Sequence, residues 1–79
     1  MTTLAGVALH APVQVIACRS EPTLRSRLAT LGLRRGARVE AIQETPGGGR
    51  IVAVADSRIA LGRSVLDALR VCPLEAAAA

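Results

Sequence analysis

The residues best suited to metal chemistry are His10, Cys18 and Cys72. Imidazole and thiolate groups suit zinc or a similar ion, but no short-range pair such as Cys-x-x-Cys is present to fix them. We therefore expect no metal site. The two cysteines fall on the first and last predicted strands of a barrel, where they are expected to be buried thiols that face each other. His10 is expected to be an exposed loop residue.

Acidic side chains are the next candidates for chemistry, because a carboxylate pair or a Ser-His-acid set would indicate an enzyme. No such set emerges, since the acids are scattered over predicted turns and strand faces: Glu21, Glu40, Glu44, Asp56, Asp67 and Glu75. A chain of 79 residues also has room for one small core and little else. We expect a protein that is not an enzyme and that has no cofactor.

A glycine-rich segment over residues 46–49 is a candidate phosphate-binding loop. A P-loop requires Gly-Lys-Ser/Thr at the start of a helix, and the sequence contains no lysine. We interpret the segment as a hairpin turn. Its exposed tip could contact a partner, because loops on rigid scaffolds often carry binding residues.

Charge and composition limit the kind of partner. Ten arginines against six acids give a net charge of +4, which raises nucleic acid or an acidic protein surface as a partner. The arginines are interleaved with acids, so a solvated surface is the simpler interpretation. The chain has no Phe, Tyr or Trp, and single-stranded bases therefore have no ring on which to stack. We expect a protein partner and no nucleic acid.

Hydropathy and the cysteines indicate the cellular compartment of the protein. Residues 1–18 carry no formal charge, but His10, Pro12 and Gln14 interrupt them, and they are shorter than the roughly 20 apolar residues of a spanning helix. They also lack the basic start of a secretory signal. Two free thiols fit a reduced compartment. We expect a soluble cytoplasmic protein without a membrane-spanning segment.

Two periodic segments open the predicted domain. Residues 13–18 are rich in β-branched side chains and predict a strand. A helical period follows, with leucines at i, i+4 and i+7: Leu24, Leu28 and Leu31. Ser20 or Thr23 can cap the helix at its start. Gly32 can end it in a left-handed conformation, so that Leu33 folds back over the last turn.

The segment after the helix returns to a period of two, with a buried face formed by Ala37, Val39 and Ala41. Residues 50–55 predict the next extended run. Asp56-Ser57 is predicted to be a two-residue hairpin turn into a strand over residues 58–61. Ser64 and Asp67 have the spacing of a capping box, which predicts a helical turn.

Residues 69–72 predict the closing strand. The fold class is therefore mainly β: a small five-stranded barrel with one helix after the first strand and a short helical turn before the last. The chain forms one domain over residues 1–79. Only its ends are expected to be loose, namely residues 1–3 and 76–79.

Three segments match the pattern of a known family. They are Arg27-Leu28 with Leu31-Gly32-Leu33 and Gly36, then the loop at 46–48 with Ile51, and finally Ile59-Ala60-Leu61 with Arg63 and residues 69–71. Together they resemble FeoA, the ferrous iron transport protein A family, over about residues 13–71. The chain departs from the family pattern at three places: Gly48-Gly49-Arg50 where the family continues Gly-Asp-Pro, Gly62, and Val65-Leu66.

The resemblance implies an SH3-like barrel in the bacterial cytosol that works with the membrane-embedded GTPase FeoB during ferrous iron uptake. It also implies no catalytic residue and no tightly held metal. A domain of the same shape forms the C-terminal part of iron-dependent repressors. The alternative is therefore an SH3-like regulatory module of that type, or a basic nucleic-acid-binding barrel. The sequence leaves the oligomeric state open.

We expect the partner to bind the helix and the turn after it, because they combine a basic rim with apolar leucines as interfaces do. The predicted contact residues are Arg25, Arg27, Leu31, Leu33, Arg34 and Arg35. The glycine-rich loop is the second predicted contact, through Gly47, Gly48, Gly49 and Arg50.

Overall fold

The computed structural model describes residues 2–74, which form six strands and two α-helices. The strands are β1 (Thr2–Thr3), β2 (Val13–Cys18), β3 (Arg38–Glu44), β4 (Arg50–Val54), β5 (Ser57–Leu61) and β6 (Leu69–Pro73). The helices are α1 (Pro22–Thr30) and α2 (Arg63–Ala68), and a short 3-10 turn covers Pro46–Gly48. Neither described helix is long and apolar enough to cross a membrane. The predicted mainly β fold is confirmed.

The six described strands form one antiparallel sheet in the order β1-β6-β2-β3-β4-β5. Three strands separate β1 from β4 in this order. The guanidinium of Arg50 at the start of β4 nevertheless donates a hydrogen bond to the carbonyl of Leu4, which directly follows β1. The sheet therefore curls back on itself around one core, as a small barrel requires.

The core is built from aliphatic side chains that alternate along the strands. In β3, Val39 and Ala41 are buried while Arg38 and Glu44 are exposed, as the period of two predicts. The buried hydrophobic residues are Leu4, Val7, Val13, Val15, Leu28, Leu33, Val39, Ala41, Val52, Val54, Leu61, Leu66, Leu69 and Val71. Because the chain has no Phe, Tyr or Trp, stability depends on the close packing of aliphatic side chains.

Helix α1 follows the leucine pattern only in part. Leu28 is buried and Leu24 is half-buried, but Leu31 is 49% exposed. The helix ends at Thr30, and Leu31 is its C-cap, with its amide bonded to the carbonyl of Arg27 at 3.3 Å. The leucine spacing therefore continues to Leu31, but the buried face of the helix does not.

Leu33 occupies the buried place instead, which confirms that it folds back over the helix. Its amide donates to the carbonyl of Leu28 at 2.8 Å, and the amide of Gly32 donates to the carbonyl of Ala29 at 3.0 Å. These two bonds make a Schellman motif, in which a left-handed residue ends a helix. Gly32 has the positive φ, 96°, that the motif needs, and Leu33 is 1% exposed.

The predicted side-chain cap of α1 is not formed. The helix begins after Glu21, and no side chain bonds to its first amides. Thr23 lies inside the helix, and the hydroxyl of Ser20 lies 3.2 Å from the thiol of Cys18 instead. Pro22 occupies the first turn. Its lack of an amide hydrogen costs nothing there, because amides of the first turn have no acceptor within the helix.

The predicted capping box of α2 is also wrong. Gly62 takes the N-cap position without a side-chain bond, so Ser64 lies inside the helix. Asp67 accepts a hydrogen bond from Arg63 at 3.3 Å, a pairing of side chains one turn apart. The serine-to-acid spacing is present, but the helix starts two residues too early for Ser64 to act as its cap.

Two further expectations are corrected by strand pairing. Val54 pairs with Ser57, so the hairpin turn is Ala55-Asp56 rather than Asp56-Ser57, and Ala55 adopts a φ of 52°. Residues 2 and 3, expected in a loose end, form β1 against β6, with Thr2 opposite Val71. That pairing joins opposite ends of the described chain, and no local pattern signals it. Met1 and residues 76–79 lie outside the described residues.

Replacing Gly32 should destabilise the fold more than replacing Gly36, although both have positive φ, 96° and 91°. A Cβ at Gly32 would lie 2.9 Å from Cγ1 of Val54, whereas nothing lies within 4 Å of a Cβ at Gly36. We expect Gly36→Ala to lower the free energy of unfolding by about 1 kcal/mol, the backbone cost alone. Gly32→Ala should lower it by about 2–4 kcal/mol, because overpacking of the core adds to that cost.

Urea unfolding followed by far-ultraviolet circular dichroism measures both variants. Equal losses of stability would contradict the tight packing of Gly32 against Val54.

Candidate functional site

The arginines predicted to contact a partner are all exposed: Arg25, Arg27, Arg34 and Arg35. The first two lie on α1, and the other two lie in the turn that follows the reversal at Gly32. Within residues 2–74, none of the four makes a side-chain hydrogen bond or an ion pair. Their guanidinium groups therefore keep all their donors for a ligand.

Three of these arginines, Arg25, Arg34 and Arg35, line a groove of about 370 Å³ between β2 and α1, which we call the basic groove. Its other lining residues are apolar or small: Ile16, Ala17, Cys18, Ala29 and Leu33. An aliphatic lining among three cations suits a ligand that combines negative charge with an apolar group, because interfaces favour that mixture.

A register shift in β2 builds one wall of the basic groove. Against β6, Val15 pairs with Val71 and Ala17 pairs with Arg70, so Ile16 is an extra residue between the two pairs. Neighbours in a regular strand point to opposite faces, but a bulge re-aims side chains. The bulge accounts for three consecutive residues, 16–18, lining the same groove.

The two leucines predicted as contacts have different environments. Leu33 is 1% exposed, so it serves the core and only borders the basic groove. Leu31 is 49% exposed and lines a shallow depression of about 290 Å³ with Arg27 and Thr30. Of the two leucines predicted as contacts, Leu31 is therefore the one that the fold leaves accessible.

The glycine-rich loop is divided between surface and interior. Gly47 and Gly48 are exposed at its tip with φ values of 84° and 87°, which confirms the predicted turn. Gly49 is buried, and so is Arg50. The second predicted contact is thus reduced to the tip of the loop.

Arg50 is a structural residue and not an exposed contact. Its side chain donates to the carbonyl of Val7 at 2.6 Å and to the carbonyl of Leu4 at 3.3 Å, and it pairs with Glu44 at 3.3 Å. These bonds attach the N-terminal segment to β4. The expectation that Arg50 binds a partner is corrected for that reason: its guanidinium is engaged inside the protein.

The two cysteines lie on neighbouring strands, but they do not face each other. Cys18 lies opposite Leu69, and Cys72 lies opposite Gln14. Gln14 and Cys18 are four residues apart along β2, which offsets the two cysteines by roughly 10 Å or more. Both thiols are free and half-buried. The antiparallel register thus overturns the prediction of two facing, buried thiols.

His10 lies in an exposed turn, as predicted, and its Nδ1 is 3.9 Å from the carboxylate of Glu40. The structure does not bring it together with the two cysteines. Within residues 2–74 there is no group of three or more His, Cys, Asp or Glu side chains that could hold a metal ion.

A second groove, of about 530 Å³, was not expected from the sequence. It is lined by Thr2, Val7, Ala8, Ala11, Pro12, Val13, Pro73 and Leu74. These residues come from both ends of the described chain, joined by the pairing of β1 with β6. No charged side chain lines it, so the basic groove is the one with features that select a ligand.

Fold and surface together define a class of protein: a small, curled antiparallel β domain whose exposed grooves suit contact with another molecule. The chain matches the FeoA domain model over residues 2–73, and it belongs to the FeoA family. This family is associated with ferrous iron transport. The predicted family is therefore confirmed. No curated protein matches the chain.

Two solved structures of FeoA proteins are similar to this chain. The FeoA protein from Chlorobium tepidum is 26% identical with a TM-score of 0.85, and the match covers 92% of this chain and 70% of that one. FeoA from Stenotrophomonas maltophilia, complexed with zinc, is 27% identical with a TM-score of 0.76, and the match covers 91% of both chains. The second is described as a procaryotic SH3 domain protein, which confirms the SH3-like fold.

The same fold occurs in a manganese-dependent transcriptional repressor. That protein is 19% identical with a TM-score of 0.79, and the match covers 91% of this chain and 36% of the repressor. At this identity the likeness concerns the fold alone.

Replacing Arg50 should cost more stability than replacing its ionic partner. Arg50→Met leaves the buried carbonyls of Leu4 and Val7 without donors, and we expect a loss of roughly 3 kcal/mol in the free energy of unfolding. Glu44→Gln removes only one end of a pair whose glutamate side chain is 63% exposed, so the expected loss is below about 1 kcal/mol. Thermal unfolding of the two variants measures the difference, and an unchanged melting temperature for Arg50→Met would refute the structural role.

Proposed function

We propose that this chain is a cytoplasmic, non-catalytic accessory module of ferrous iron uptake. It binds the membrane-embedded GTPase transporter of the FeoB type and modulates the assembly or activity of that transporter. Membership of a family associated with ferrous iron transport supports the role in iron uptake. Iron is the cargo of the transporter in this proposal.

The observation that carries the proposal is the basic surface at the end of α1. Four exposed arginines without partners in residues 2–74 surround an apolar groove and the exposed Leu31. Arginine and aliphatic residues in this combination are typical of interface centres, because the guanidinium is weakly hydrated and pairs with carboxylates in a fixed geometry.

The packing of this surface explains how so small a domain could act on a large transporter. The basic groove is bordered by Leu33 and β2, which belong to the core, so the arginines are presented on a rigid support. A rigid module that binds one state of its partner more tightly shifts the partner toward that state. Modulation therefore needs no reacting group on the module itself.

An alternative function, a regulatory or nucleic-acid-binding module, is favoured by the fold shared with a manganese-dependent repressor and by the excess of arginine. Phosphate contacts would make DNA binding fall steeply as salt rises. We expect filter binding of duplex DNA to detect no salt-sensitive affinity. Retention at low salt that disappears at high salt would favour the alternative.

Co-purification with the FeoB-type transporter tests the proposal. Arg34→Glu plus Arg35→Glu should abolish retention of the module, because both carboxylates would repel an acidic surface. The matched control is Arg58→Glu on β5, which reverses an exposed arginine that has no ion pair within residues 2–74. The control should be retained like the wild type. Unchanged retention of the double variant would remove this surface from consideration.

A further inference from the structure

The positive charge of the chain is concentrated in one segment. Residues 19–38 contain six arginines and one acid, Glu21, whereas the rest of the sequence contains four arginines and five acids. The net charge of +4 therefore arises from this segment. The segment contains α1 and the turn after it, and three of its six arginines, Arg25, Arg34 and Arg35, line the basic groove.

Ion pairs elsewhere in the fold leave this charge uncompensated. Glu44 pairs with Arg50, and Asp67 pairs with Arg63, each at 3.3 Å. Within the described part of the chain, no side-chain hydrogen bond or ion pair engages the arginines of the segment: Arg19, Arg25, Arg27, Arg34, Arg35 and Arg38. Like charges around one groove repel each other, and an anionic ligand relieves that repulsion.

The basic groove also borders an unpaired stretch of strand edge. The ladder of hydrogen bonds between β2 and β3 covers only the first two residues of β2. Two further backbone bonds extend it to Val15, whose carbonyl accepts from the amide of Gly36 and whose amide donates to the carbonyl of Ala37. Beyond that point, no strand among residues 2–74 pairs with residues 16–18 on this side, although β6 continues on the other. An open edge of this kind accepts an extended peptide.

We infer that the basic groove binds an extended acidic segment of a partner protein. The segment lies along residues 16–18 and places one aliphatic side chain against Ile16 and Ala29, the more accessible apolar residues of the groove. Its carboxylates pair with the guanidinium groups of Arg34 and Arg35, each of which can hold a carboxylate through two parallel hydrogen bonds. The inference rests on the proposed function, because it names the part of the transporter that this surface would recognise.

Two other anionic partners fit the groove less well. Single-stranded nucleic acid would need its bases held, and the chain has no Phe, Tyr or Trp on which they could stack. A lipid bilayer presents a broad charged surface, whereas the apolar residues here line a concave groove in which Leu33 is 1% exposed. The aliphatic side chain of a peptide reaches into such a groove, and a bilayer surface does not.

A titration with a fluorescein-labelled peptide of alternating glutamate and serine around one leucine tests this inference by fluorescence anisotropy. We expect saturable binding that weakens as salt screens the charges. Arg35→Gln should weaken binding about threefold, and Arg34→Gln plus Arg35→Gln about tenfold, because exposed charge pairs are lost. Arg58→Gln, which removes an exposed arginine outside the segment, should bind like the wild type.

The apolar contact is tested separately. A peptide with serine in place of its leucine should bind several-fold more weakly, because it buries no aliphatic side chain. Ala29→Leu keeps a strong helix former at an exposed position of α1 but fills the groove, so it should abolish the preference for the leucine peptide. Amide chemical shifts should change at residues 16–18 and 33–35 and stay constant at residues 57–60.

Several outcomes would overturn the inference. A peptide with lysine in place of glutamate could bind equally well, or the shift changes could fall on other residues. Binding that depends on Arg34 and Arg35 could also be found for anionic vesicles or duplex DNA and not for the peptide. Circular dichroism establishes that each variant is folded, and all replaced side chains are exposed.

Comparing peptide binding with retention by the transporter distinguishes a failure of this inference from a failure of the proposed function. If the wild-type module co-purifies with the transporter but does not bind the acidic peptide, only the acidic segment is wrong. If the peptide binds at residues 16–18 and the transporter is not retained, the proposed function is wrong while the acidic-peptide groove stands.

Discussion

The reversal of the chain at Gly32 is the constraint on which both the core and the binding surface depend. Its positive φ lets two amides bond back to the last turn of α1, and Leu33 enters the core as a result. The next residues, Arg34 and Arg35, then emerge beside β2 and border the basic groove. A chain that left the helix in another direction would lose a core leucine and separate these arginines from β2. Stability and the proposed recognition surface therefore depend on the same turn.

The sequence predicts well those elements whose signals are local. The bounds of β2 follow from a run of β-branched residues after Pro12, and the alternation of Val39 and Ala41 follows from the period of a half-buried strand. The same reasoning fails where an element stops. Leu31 keeps the helical spacing as the C-cap of α1, yet it is 49% exposed, and Leu33 after the turn is the leucine that enters the core.

Only one wall of the basic groove, the one formed by arginines, could be predicted from the sequence. Arginines around a helix end are expected at the surface, and they are found there. The facing wall depends on a bulge at Ile16 that is set by pairing with β6, far along the chain. Arg50 illustrates the same limit, because the carbonyls that it binds are 46 and 43 residues away. Nothing near Arg50 in the sequence distinguishes it from the exposed arginines.

The fold also changes how the excess of arginine is interpreted. As a composition, ten arginines against six acids fit a diffuse solvated surface, because charges of both signs recur along the chain. In three dimensions, two of the acids, Glu44 and Asp67, pair with arginines outside the 19–38 segment. Within residues 2–74, no ion pair engages the arginines of that segment. Exposed ion pairs add little to stability, so folding alone gives no reason to gather uncompensated cations around an apolar groove. Their mutual repulsion slightly opposes folding, and the binding of an anionic partner that we propose would offset that repulsion.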